Sequence, residues 1–264
     1  MTQRRKKKKN KKNKSKSTSN NLLKSSNMIT KSEKMPDQLK KIIFVLQSKG
    51  GVGKSVHTYN LANFFRRSSI PAYYFDMDND SKSSLSQIGF VGVQPWNLIN
   101  GASKVIDRSE INTFLDEIAD NPKALLTVCD FGAASSEQFL KYVESKEGRA
   151  MLAMYSDEIS FEFHCVVSGN NSYPACGDYC EDLFIASAKI AKLYIAKNTR
   201  EVYDDIQNAD IDRLQSVYGA DLIEFGIAMG NANTAVEKVK KQMYHGASSF
   251  DVGARSSKLL YNMM

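Results

Sequence analysis

Gln47-Ser48-Lys49-Gly50-Gly51-Val52-Gly53-Lys54-Ser55 is the stretch from which the fold is read. An apolar run, Ile42-Ile43-Phe44-Val45-Leu46, precedes it and reads as a buried strand. Residues 56–67 follow it and read as a helix. Strand, glycine-rich turn and helix N-terminus together make a phosphate cradle. The glycines let backbone N–H groups converge on an anion, and the helix dipole adds partial positive charge. In such a cradle Lys54 reaches the outer phosphates and the Ser55 hydroxyl is a Mg²⁺ ligand. The common spacing, G-x-x-x-x-G-K-[ST], needs glycine where this chain has Ser48. The variant x-K-G-G-x-G-K-[ST] fits, and it adds a second lysine, Lys49. A turn that binds nothing is the bland alternative. Three glycines and two lysines between a strand and a helix argue against it.

The chain of 264 residues is long enough for one large α/β domain. Its net charge of +7 is unevenly distributed: residues 1–34 hold 13 Lys or Arg against one acid, Glu33. The rest holds 23 bases and 28 acids, so the globular part is mildly acidic. Residues 1–37 are Lys, Asn and Ser with few apolar side chains. They cannot bury enough surface to offset their ordering entropy, which predicts a disordered basic tail. Residues 38–264 are read as the globular, phosphate-binding domain. No apolar run approaches the roughly 20 residues of a membrane span, and no apolar h-region follows the basic start. Four cysteines without a secretion signal fit a reducing compartment, so a cytoplasmic location is expected.

Beyond the first helix, residues 72–75 read as a second strand ending in Asp76-Met77-Asp78-Asn79-Asp80. Residues 89–95 read as loop. A helix is expected over 107–118, with apolar positions at Ile111, Phe114, Leu115 and Ile118, and Asn121-Pro122 breaks it. Further strands are expected at 124–129, ending at Asp130, and at 162–167, 191–196 and 221–229. Helices are expected at 138–147, 179–188, 204–218 and 234–244, while residues 258–264 are too short to assign. Apolar strands alternating with helices predict an α/β fold, a parallel sheet with helices on both faces. Functional residues then belong at the C-terminal ends of the strands.

These motifs together resemble the ParA/MinD branch of P-loop ATPases, with its deviant Walker A motif. Three segments look most like the conjugative-transfer protein family TraL: residues 45–55, the run Asp130-Phe131-Gly132-Ala133-Ala134-Ser135-Ser136, and His164-Cys165-Val166-Val167-Ser168-Gly169. The resemblance spans about residues 41–230. It implies ATP and Mg²⁺ as cofactors, held by Gly50, Gly51, Val52, Gly53, Lys54, Ser55 and Val56. It also implies a Walker B acid, Asp130, supporting Mg²⁺ with Ser55 and Asp76. Asp78, the second acid of the D-x-D, would position the attacking water. Lys49 would cross a dimer interface to the partner's ATP, which makes Lys49, Lys54 and Asp78 the catalytic set. Asn198, past the fifth strand, falls where the family reads adenine; an Asn there is also a common cap or turn residue. ATP is preferred over GTP because no guanine-reading T-K-x-D signature occurs.

The expected function is an ATP-hydrolysing switch of a mobile element, an ATP-dependent homodimer serving DNA transfer or partition. A nucleotide-binding module with negligible hydrolysis, and a MinD-like positioning ATPase, are the alternatives. The positioner ranks lowest, because no long amphipathic helix ends the chain. DNA is a possible partner of the basic tail, alongside an unidentified transfer or partition protein; stable membrane anchoring is not expected. Cys176 and Cys180 are spaced C-x₃-C near Cys165, but too few ligands surround them for a metal site, so structural cysteines are expected. His57 is read as helix surface and His164 as a core histidine.

Overall fold

Residues 42–46 are buried at 0–3% exposure, as a strand covered on both faces must be. They belong to β1 (Lys40–Leu46), the middle strand of the sheet in the computed structural model, which describes residues 39–78, 86–99, 105–226 and 241–249. After β1 come α1 (Lys54–Arg67), β2 (Tyr73–Met77), β3 (Val93–Pro95), α2 (Arg108–Asp120) and β4 (Leu126–Phe131). Then follow α3 (Ala133–Glu144), α4 (Lys146–Met154), β5 (Ile159–Val167), α5 (Tyr173–Ser187), β6 (Ala191–Asn198), α6 (Asp205–Tyr218) and β7 (Asp221–Phe225). The seven strands lie in the order β3-β2-β4-β1-β5-β6-β7, and every pairing is parallel. β1 is flanked by β4 and β5. The chain first builds outward on one side, then crosses to the other, and a crevice opens where the direction reverses.

The period-two alternation of β1 divides the core between the two faces. On one face Phe44 meets Phe131, Phe139 of α3 and Phe163, with ring centroids 5.1–5.6 Å apart. On the other, His164 of β5 meets His57 of α1. The expected architecture, a parallel sheet with helices on both faces, is therefore present.

Several boundaries differ from the sequence reading. Residues 89–95 contain a 3₁₀ turn, Gly89–Val91, and the edge strand β3, where loop was expected. Pairing with β2 (Tyr74↔Val93, Asp76↔Pro95) makes it a strand, and three residues carry no readable alternation. The helix expected over 138–147 is two helices: the Ser145 side chain accepts from Gly148 N at 3.0 Å and so caps a fresh start at α4. α5 begins at Tyr173, six residues before the expected start, with a proline in its first turn. α2 and α6 match, their caps Asp107 and Asp204 accepting from Ser109 N and Gln207 N. The tail, the domain boundary at residue 38, Asp80, most of the helix expected at 234–244, the end of the strand expected at 221–229 and residues 258–264 lie outside the described residues. Among the described residues no helix is long and apolar enough to cross a membrane.

Candidate nucleotide site

The turn after β1 is built from glycine conformations. Gly51 and Gly53 hold φ of 78° and 109°, in the left-handed region that glycine enters without a Cβ penalty. A Cβ on Gly53 would also come within 3.0 Å of Asn198 Nδ2. That nitrogen donates to the Val52 carbonyl at 2.9 Å, while Asn198 Oδ1 accepts from Arg200 N at 3.2 Å. Asn198 thus lies against the loop and pins its backbone. From the strand side Gln47 does the same. It is fully buried; its Nε2 donates to Val166 O at 2.9 Å, its Oε1 accepts from Lys49 N at 3.1 Å, and its own N–H donates to Ser136 Oγ at 3.1 Å.

α1 opens on Gly53 with no side-chain cap and no acid in its first turn, so its N-terminal N–H groups and positive dipole end suit an anion. Lys54 stands at that end, 8% exposed, with Nζ donating to Lys49 O at 3.3 Å. Burial pulls its pKa below the ordinary lysine value, and the charges of Asp130 and Asp78 oppose that pull. An arriving phosphate would add to the same side as the acids.

Opposite the loop stand the acids. β2 and β4 pair so that Asp76 lies in register with Asp130, and both are buried. Asp78 follows one residue past β2, and its N–H donates to Asp76 Oδ1 at 2.9 Å. The Asp78 carboxylate lies over Gly132, where any Cβ would collide with it. Gly132 is in turn the uncapped start of α3, again with no acid in the first turn. A cavity of about 610 Å³ separates the two walls. Gly50, Gly51, Gly53, Lys54, Ser55 and Val56 form one wall; Asp78, Phe131, Gly132 and Ala133 form the other.

The expected residues therefore divide into four sets. The loop, Lys54, Ser55, Val56 and Asp78 line the cavity. Asp76 and Asp130 lie behind it at the strand ends, and Val52 and Asn198 support the loop from beneath. Lys49 is exposed and does not line it. The expected metal-side groups, the Ser55 hydroxyl and the Asp76 and Asp130 carboxylates, offer oxygen donors, as hard Mg²⁺ prefers. Among the described residues no group of three or more His, Cys, Asp or Glu could by itself hold a metal. The four cysteines are free and buried, and burial raises the Cys129, Cys165 and Cys176 thiols.

His57 corrects its expectation. It is 1% exposed, and its Nε2 lies 3.0 Å from His164 Nδ1. α1 turns this side toward the sheet, where His57 also packs on Phe225. Gln47, Gly132, Gln87 and Tyr244 were not singled out as site residues. Gln47 left a signal, a polar residue closing an apolar strand. Gln87 and Tyr244 line the cavity from distant segments and left none.

No protein-family model matches this chain, and no curated protein matches its sequence. Among solved structures it is similar to the MinC:MinD cell division protein complex of Aquifex aeolicus, at 13% identity and a TM-score of 0.49 over 84% of this chain and 92% of the other. It is also similar to a nucleotide-binding protein from Archaeoglobus fulgidus in complex with ADP, at 14% and 0.46 over 85% and 93%. MinD of Aquifex aeolicus gives 14% and 0.45 over 84% and 93%. Likenesses at this level leave the functional reading to the geometry of the site.

Proposed function

We propose that this chain is a ParA/MinD-type ATPase that works as a nucleotide-dependent switch. The observation that carries the reading is the 610 Å³ cavity, bounded by Lys54, Ser55 and the glycine loop on one side and by Asp78 on the other. Two uncapped helix N-termini border that space, so its field suits a polyphosphate. Lys54 neutralises the outer phosphates. Ser55 and Asp130, with Asp76 beside it, hold Mg²⁺, which when bound offsets phosphate charge. Asp78 reaches the cavity, and its role is to orient a water. Phosphoryl transfer asks for such positioning and charge compensation and for little covalent work from the protein.

Lys49, exposed on the lip, is assigned to the partner's nucleotide across an ATP-dependent homodimer. Asn198, whose side chain already bonds the loop at Val52 O, is assigned the adenine edge. The service proposed is DNA transfer or partition of a mobile element in the cytoplasm, on the strength of the TraL-like segments, with the basic tail as a DNA contact. One experiment tests the core of this reading. ATP binding and ATP-induced light scattering are measured on wild type, Lys54→Ala and Lys49→Ala. Lys54→Ala should lose nucleotide with the fold intact, and Lys49→Ala should keep nucleotide and lose the mass increase. A Lys54→Ala protein that binds ATP like wild type sinks the proposal.

A further inference from the structure

A second and larger opening, about 1110 Å³, lies on the α1 face of the sheet and plays no part in the site above. Its rim is apolar and exposed: Leu39, Phe64, Ile70, Leu125 and Leu222 remain 38–50% exposed. Exposed apolar side chains are unremarkable one at a time, but five around one groove mark a surface that something covers. The floor is polar. His57 and His164 reach it, Glu162 binds Lys41 there at 2.6 Å, and Glu224 stands at the edge. His57 Nδ1, fully buried on this floor, has no hydrogen-bond partner. The volume exceeds the roughly 300–1,000 Å³ of small-molecule sites and suits a length of peptide.

We infer that the occupant is this chain's own C-terminal stretch, Lys258-Leu259-Leu260-Tyr261-Asn262-Met263-Met264. The described chain ends on α1 itself. Tyr59 donates to Ala247 O at 2.9 Å, and Ser248 Oγ and Ser249 N donate to Asn63 Oδ1 at 2.6 and 3.1 Å. The groove is lined by Leu61, Phe64 and Phe65 of that same helix. Nine residues lie between Ser249 and Leu259, a span of ten Cα–Cα steps. Extended, they reach roughly 33 Å, against a helix diameter of about 10–12 Å, so the tether can pass round α1. Leu259, Leu260 and Tyr261 supply the apolar match to the rim. Tethering gives the segment a local concentration of about millimolar without any exceptional affinity.

The test uses the full chain with Ile70→Cys and Leu260→Cys combined; the four native cysteines are buried. Mild oxidation should give an intramolecular disulfide, and the control pair Ile206→Cys with Leu260→Cys should not. In parallel, Leu260→Asp and a chain ending at Ser257 are compared with wild type by hydrophobic-dye fluorescence and hydrogen exchange. Both should raise dye fluorescence several-fold and speed exchange at residues 39–41 and 222–224, and a free peptide of residues 255–264 should reverse the effect on the shortened chain. Equal dye binding and exchange in all three proteins overturns the inference. A disulfide that forms only between molecules overturns it too, since the occupant is then a second copy.

Discussion

Gly132 and Asp78 show how closely single residues are matched at the site. A methyl group on residue 132 would strike the Asp78 carboxylate, so Gly132→Ala should push Asp78 away while leaving the loop alone. ATP binding should persist and turnover should fall about 10²-fold, the usual cost of a misplaced catalytic group; steady-state phosphate release measures it. Unchanged turnover would remove Asp78 from the chemistry. The histidine pair makes a different residue-scale claim. Burial lowers both imidazoles, His57 well below the ordinary value, with Glu162 partly opposing the shift at His164. The folded state then holds both neutral while the unfolded chain protonates near pH 6.5. Their stability contribution is complete above that pH and is lost as pH falls below it, by up to about 1.4 kcal/mol per unit per imidazole. Urea midpoints between pH 7.5 and 5 should therefore fall, and more shallowly in His57→Leu; a parallel decline in the two proteins would count against the pair. That Lys54, Ser55 and Asp78 meet at one cavity was legible because motifs at the strand ends fix them. The burial of His57 was not, since one residue's rotation about α1 decides it.

At the scale of elements, the loop is held by partners it does not neighbour in sequence. Gln47 ties it to β5 and to the start of α3, and Asn198 ties it to the end of β6. Gln47→Leu keeps the volume but strips the amide from buried carbonyl and N–H partners. It should destabilise the fold by about 1–3 kcal/mol and weaken ATP binding as the loop loosens. Denaturant titration and ATP titration on the same variant check both, and a variant unchanged in affinity would reduce Gln47 to packing. The long strands and α1, α2 and α6 were readable from apolar runs, period and caps. β3 was not, because a three-residue edge exists only through its pairing with β2. The break between α3 and α4 turns on Ser145, a single serine that looks like helix surface until its cap is seen.

For the whole molecule, charge is the feature that composition alone reveals. Residues 4–16 hold ten basic side chains in 13 positions, attached to an acidic remainder. A chain starting at Met35 should bind duplex DNA more weakly than the full chain, with a shallower salt dependence, since each lost phosphate contact removes about 0.9 from the log–log slope. Equal slopes across a salt series would return any DNA contact to the folded domain. The all-parallel topology was legible from the alternation of strands and helices, whereas the strand order needed the structure. That order has a consequence for synthesis. Gln47 finds its partners Ser136, Val166 and Cys176 at separations of 89, 119 and 129 residues. A ribosome adding about 5–20 residues per second exposes the glycine loop seconds before it delivers those supports. Throughout that interval the nascent chain carries the signature of a phosphate binder without its shape. On the function proposed above, a chain cut short before β5 should therefore hold no nucleotide, an inert fragment rather than a half-working competitor.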